Sequence, residues 1–93
     1  MEIKLEFDKT TSRLSGNPFG KKVYSEQVEK YYKDYSEQLI LVFPDHITKV
    51  ASSFSQGFFT LLVAEIGYEG INEKVTIKAG SNKVAEEIMR RIR

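Results

Sequence analysis

The sequence predicts a small α/β domain with a mixed or mostly parallel sheet of about four strands and three helices. Three observations predict it. Leu39-Ile40-Leu41-Val42-Phe43 is an unbroken apolar run between polar flanks, the mark of a central strand buried on both faces. Two segments alternate apolar and polar residues, Ile3, Leu5 and Phe7 near the start and Val75, Ile77 and Ala79 near the end, as half-buried strands do. Between and after them lie stretches whose apolar residues recur at helical spacing, so the strands are joined by crossovers, as parallel strands require.

The elements follow in the order β-α-β-(β)-α-β-α. Residues 2–8 form the first strand, with Glu2, Lys4, Glu6 and Asp8 on the wet face. Residues 9–20 carry Gly16, Asn17, Pro18 and Gly20 and read as loop, pinned by Leu14 and Phe19. From Lys21 to Asp34 the chain is helical, with Tyr24, Val28, Tyr31, Tyr32 and Tyr35 on one core-facing stripe. Their hydroxyls reach the rim, because tyrosine pairs an apolar body with a polar tip.

Pro44 ends the central strand, and Ile47–Val50 supplies a short strand or extended edge. The next helix, Ser53–Ile66, has a wide apolar arc of Phe54, Phe58, Phe59, Leu61, Leu62, Val63 and Ile66. Ser53, Gln56, Gly57, Thr60 and Ala64 leave a narrow small or polar strip. A mid-helix glycine costs about 1 kcal/mol relative to alanine, so Gly57 implies a close approach by a backbone or a partner. Residues 67–70 are a connection. Gly80-Ser81-Asn82 then turns the chain and caps a last helix, with Val84, Ala85, Ile88, Met89 and Ile92 facing the core. Glu86–Arg90 and Glu87–Arg91 are ion pairs at i, i+4 spacing.

Size and composition bound the function. The chain has 93 residues, enough for one core, so residues 1–93 form a single domain. Fourteen basic against 13 acidic side chains give a net charge of +1, too balanced for general attraction to nucleic acid or membrane. There is no cysteine, which removes disulfides, zinc–thiolate sites and a cysteine nucleophile. One histidine and scattered carboxylates offer no metal-ligand spacing. Phosphate-cradling glycine motifs are missing too, so no metal or cofactor is expected. The N-terminus alternates charge and hydrophobe, unlike a signal peptide, and no apolar run approaches the ~20 residues that span a bilayer. A cytoplasmic protein is the expectation.

Ser52 and Ser53 are the residues most open to chemistry. Ser53 with Gln56 reads as a capping box, two backbone donors satisfied reciprocally. Alternatively, a phosphate on Ser53 would sit well at a helix N-terminus and would alter a partner surface along the helix. Asp45, His46 and these serines do not make a convincing Ser-His-Asp triad. Neighbours in extended chain point to opposite faces, and no Gly-x-Ser-x-Gly elbow is present. Basic residues Lys21, Lys22, Arg90, Arg91 and Arg93 offer the alternative of a nucleic-acid or nucleotide-binding module.

The segment Leu39–Ile66 resembles the STAS-like domain family, a bacterial family of unknown function. The matching features are the apolar strand, the loop Ile47-Thr48-Lys49-Val50, and Ser52-Ser53-Phe54 opening an apolar helix. Phe19-Gly20-Lys21-Lys22 upstream and Val75-Thr76-Ile77 downstream extend the resemblance over roughly residues 19–92. More remotely, the family is similar to anti-sigma factor antagonists, which bind a serine kinase and are switched by phosphorylation at a helix-opening Asp-Ser-Ser/Thr-Gly. Ser53 matches the phosphorylated position, with Ala51 standing where the antagonists have Asp and Phe54 where they have Gly. The resemblance implies a non-enzymatic regulatory module. Its partner would be a histidine-kinase-like ATPase or a serine kinase, meeting Asp45, His46, Ser52, Ser53, Phe54, Gln56, Gly57 and Thr60.

Overall fold

The computed structural model describes residues 1–90, and the architecture is a small α/β fold built on parallel strands. Its elements are β1 (Glu2–Lys4), β2 (Arg13–Leu14), α1 (Asn17–Tyr24), a π-helical turn (Ser25–Glu29), β3 (Leu39–Val42), β4 (Lys49–Val50), α2 (Ser52–Phe58), α3 (Thr60–Lys74), β5 (Val75–Lys78) and α4 (Asn82–Arg90). Strands β1, β3 and β5 form one sheet in that order, and β2 pairs with β4 in a second, all parallel. The apolar run of β3 is central, as expected, with Ile3 opposite Leu41 and Leu41 opposite Ile77. Its two faces differ: Leu39 and Leu41 are fully buried, whereas Ile40 and Val42 are only half-buried. The architecture therefore has five strands in two sheets and four helices among the described residues, against an expected four and three.

Several boundaries moved for identifiable reasons. β1 stops at Lys4 instead of continuing to Asp8. The Glu6 N–H donates to Gln27 Oε1 at 2.8 Å, and Gln27 Nε2 donates to the Glu6 carbonyl at 2.8 Å. One side-chain amide thus occupies both backbone groups that a neighbouring strand would use. Within the expected loop, Arg13–Leu14 pairs with Lys49–Val50, and Leu14 is fully buried. Helix α1 begins at Asn17, four residues early, because Pro18 in its first turn is pre-set for helix.

The tyrosine stripe is broken by the π-helical turn. A π turn holds more residues than an α turn, so positions beyond Glu29 lose the phase of the α-helical stripe. Tyr24, Val28 and Tyr32 remain buried and Tyr35 half-buried, but Tyr31 is 60% exposed. It is a surface residue, not core as its spacing suggested. The helix itself ends before residue 34.

The helix expected over Ser53–Ile66 is two helices. Phe59 (φ −92°, ψ 3°) separates α2 from α3. Phe58 and Phe59 are adjacent yet both fully buried, with ring centroids 5.0 Å apart, and the break re-aims the second ring inward. α3 then runs through the expected connection at 67–70 to Lys74, kinked at Gly67 (φ 72°, ψ 173°). In α4, Val84 and Ile88 are buried and Ala85 and Met89 half-buried, with Ser81 Oγ accepting the Val84 N–H at 3.3 Å. Among the described residues Glu86 and Arg90 form no ion pair. Ile92 and the Glu87–Arg91 pair lie outside the described residues. No helix of the described residues is long and apolar enough to cross a membrane.

Candidate partner-binding site

Because β1, β3 and β5 are parallel, their carboxyl ends point the same way. Asp45 and His46 follow β3, and Gly80 and Ser81 follow β5. In open α/β sheets, ligands usually meet the loops beyond the carboxyl ends of the strands. Here a cleft of about 320 Å³ lies among Asp45, Thr48, Lys49, Gly80, Ser81 and Lys83. Its two loops meet backbone to backbone. A Cβ on Gly80 would stand 3.0 Å from the Asp45 carbonyl oxygen, a contact tight enough that the Asp45 backbone would have to shift to admit it. Asp45 is exposed and free to contribute charge at this rim.

His46 is half-buried, with Nδ1 2.7 Å from the Thr11 carbonyl oxygen. A carbonyl only accepts, so Nδ1 carries a proton and donates it to Thr11. The ring thereby ties the loop after β3 to residues 9–12. Asp8, just before those residues, accepts from both the hydroxyl (2.6 Å) and the N–H (2.8 Å) of Thr10. These two bonds hold its carboxyl below the ordinary 3.8.

The serines do not cap α2 in the way their spacing suggested. Ala51, in extended conformation, is the N-cap residue and supplies no side-chain cap; Ser52 and Ser53 are already helical. The capping box is corrected: Ser53 Oγ instead accepts the N–H of Gly16 at 2.9 Å, and Gln56 is exposed. Gly16 has φ 98°, a conformation glycine adopts without penalty, and this turns its N–H to face across to α2. Ser53 thus fastens the start of α2 to the residue preceding α1, leaving its side chain half-buried.

Two expected contact residues face inward. Phe54 is fully buried, its ring centroid 5.7 Å from Phe19 and 5.8 Å from Phe58. Gly57 is buried against Asn17, whose carbonyl a Cβ would strike. Neither offers a surface to a partner, so these two assignments are corrected. Gln56 and Thr60 are exposed, joined by the Thr60 hydroxyl donating to the Gln56 carbonyl at 2.7 Å. The remaining surface comprises Asp45, His46, Ser52, Ser53, Gln56 and Thr60. Its hydrogen bonds run to different elements, His46 to Thr11 and Ser53 to Gly16, so no histidine–serine pair is assembled by them.

Sequence reasoning missed Gly16 and Gly20 as positioning residues. The signal was Ser15-Gly16-Asn17-Pro18, where a glycine just before a helix-starting proline marks a forced turn. The basic set of the alternative reading is divided. Lys21 and Lys22 are exposed on α1 and Arg90 on α4, while Arg91 and Arg93 lie outside the described residues. Compared with models of known protein families, with curated proteins and with solved structures, the chain finds no significant match.

Proposed function

We propose that this chain is a STAS-like, non-enzymatic module of the cytoplasm that binds a protein partner at the surface where α2 begins. The observation that carries the reading is the Ser53–Gly16 hydrogen bond. A half-buried serine oxygen joins the starts of two helices, so a phosphate on it would compete for the Gly16 N–H and reshape the surface around it. The parallel order of strands and the helix opening at Ser52-Ser53 suit the family resemblance, which supplies the partner class: a histidine-kinase-like ATPase or a serine kinase. Asp45, His46, Ser52, Gln56 and Thr60 complete the contact surface in this reading.

The test is affinity capture from the source cells with wild-type protein, Ser53→Asp and Gln56→Arg side by side, with phosphosite mapping. We expect a kinase-like ATPase or serine kinase that the wild type retains and Ser53→Asp releases, while circular dichroism stays the same. Equal capture by all three proteins, with Ser53 unmodified, would remove both the surface and the switch.

A further inference from the structure

The sheet of β1, β3 and β5 is covered on one side only. On the core side Leu39, Leu41 and Val75 are buried, and Phe43 just beyond β3 packs against Phe58 of α2, with ring centroids 6.1 Å apart. The other side carries Glu2 and Lys4 of β1, Ile40 and Val42 of β3, and Thr76 and Lys78 of β5. The residues of the two outer strands are exposed there, and those of β3 are half-buried. β3 separates β1 from β5, and the Lys78 ammonium stands 4.0 Å from the Glu2 carboxylate. The lysine stem therefore lies across β3.

Such a face is unusual. Wholly parallel sheets almost always have both faces covered, and β3 is apolar on both of its faces, the pattern of a strand covered twice. The register points to what covers it. Glu2, Ile40 and Thr76 are aligned in one row across the sheet, and Lys4, Val42 and Lys78 form the next row on the same face. A two-fold axis running across the strands, between these rows, sets the Lys4 row of a second copy over the Glu2 row. Glu2 then faces Lys4 of the other copy, Ile40 faces Val42 and Thr76 faces Lys78, each twice by symmetry. An axis running along the strands would instead set Lys4 over Lys78, two like charges. The charges thus select the first arrangement.

We propose that this open face is the interface of a two-fold homodimer. The two sheets stack with their strands antiparallel to within about 30°. Each copy covers Ile40 and Val42 of the other, and the two Glu2–Lys4 pairs fix the register. Three short strands make an interface at the small end of the specific range, so the dimer is weak and forms at about 0.1–1 mM. The residues at the start of α2 take no part, and both copies keep that surface for a partner.

The test is an NMR dilution series of the isotopically labelled full chain from about 2 mM to about 0.02 mM, with sedimentation equilibrium at the upper end. The wild type should dimerise there, with concentration-dependent shifts at the amides of Lys4, Ile40, Val42 and Thr76 and none at Ser53. Glu2→Lys and Lys4→Glu, both at exposed positions, should each weaken association about tenfold with circular dichroism unchanged, because each sets like charges together twice. Mixed in equal amounts, the two variants should associate again, since every facing pair at these positions then joins opposite charges. The proposal is overturned if the wild type is monomeric at about 2 mM, if the shifting amides lie outside the sheet, or if the mixture associates no better than either variant alone. A tighter dimer of Lys4→Glu would overturn it as well, because only the arrangement with Lys4 over Lys78 predicts that.

Discussion

Gly20 of α1 and Gly57 of α2 each occupy a position where a side chain would strike the backbone of the opposite helix. A Cβ on Gly20 would collide with the Phe54 carbonyl and stand 2.7 Å from the Phe58 nitrogen, and one on Gly57 would collide with the Asn17 carbonyl. The two helices pack backbone against backbone, without intervening side chains at these points.

This close approach decides the sign of a substitution. In an uncrowded helix, Gly→Ala would stabilise by about 1 kcal/mol. Here backbone cannot retreat as a flexible side chain can, so Gly57→Ala and Gly20→Ala should each destabilise by about 1–3 kcal/mol. The double variant should lose less than the sum, since both changes separate the same pair of helices. Urea unfolding of the three variants measures this, and a stabilised Gly57→Ala would show that the helices do not meet so closely.

Gly67 presents the opposite case. Nothing lies within 4 Å of where its Cβ would stand, yet its φ of 72° and ψ of 173° fall where only glycine is at ease. Gly67→Ala should therefore cost about 1–3 kcal/mol through the backbone alone. Replacement by D-alanine through chemical synthesis should restore most of it, because the mirror-image residue accepts positive φ. Equal thermal stability of the L- and D-alanine proteins would contradict a strained kink.

These contrasts show which features were legible in the sequence. The central strand was legible because Leu39–Phe43 is apolar throughout, and the core face of α4 because Val84 and Ile88 lie one turn apart. Both are local periodicities. Tyr31 was misplaced because a π turn changes the period without any residue that announces it. Long-range side-chain bonds were equally silent: Gln27 ends β1 from 21 residues away, and Ser53 reaches Gly16 across 37. Ser53-x-x-Gln56 satisfied a local rule, but its oxygen was claimed by a partner from another element. For the candidate site, the sequence did not reveal that Phe54 and Gly57 are buried, since helical spacing alone does not show which face a second helix covers.

The Ser53 bond carries its own prediction. Ser53→Ala leaves the Gly16 N–H without its acceptor in a partly buried place, which should cost about 1–2 kcal/mol. Ser52→Ala and Gln56→Ala should each change stability by less than about 0.5 kcal/mol, as surface substitutions usually do. Thermal denaturation of the three single variants separates the two accounts. A loss at Gln56 matching that at Ser53 would restore the capping box.

The response to pH follows from groups at both ends of the scale. Burial, first of all, raises the pKa values of Tyr24, Tyr32 and Tyr35 above the ordinary 10.0. The folded protein thus holds protons that the unfolded chain releases near pH 10, and stability is complete below that value and falls as pH rises beyond it. At the acid end, bonds from Thr10 to Asp8 and from Ser36 to Asp34 depress both carboxyls below 3.8. Their contribution is complete above the unfolded value and is lost as pH falls through the folded one. The urea midpoint should therefore be level from about pH 5 to 9 as far as these groups decide it, and decline on both sides. Asp8→Asn should soften the acid limb. Tyr24→Phe should flatten the alkaline limb, because it removes the most strongly shifted tyrosine while keeping its ring in the core. An alkaline limb of unchanged steepness in Tyr24→Phe would mean that this hydroxyl is not held protonated by burial.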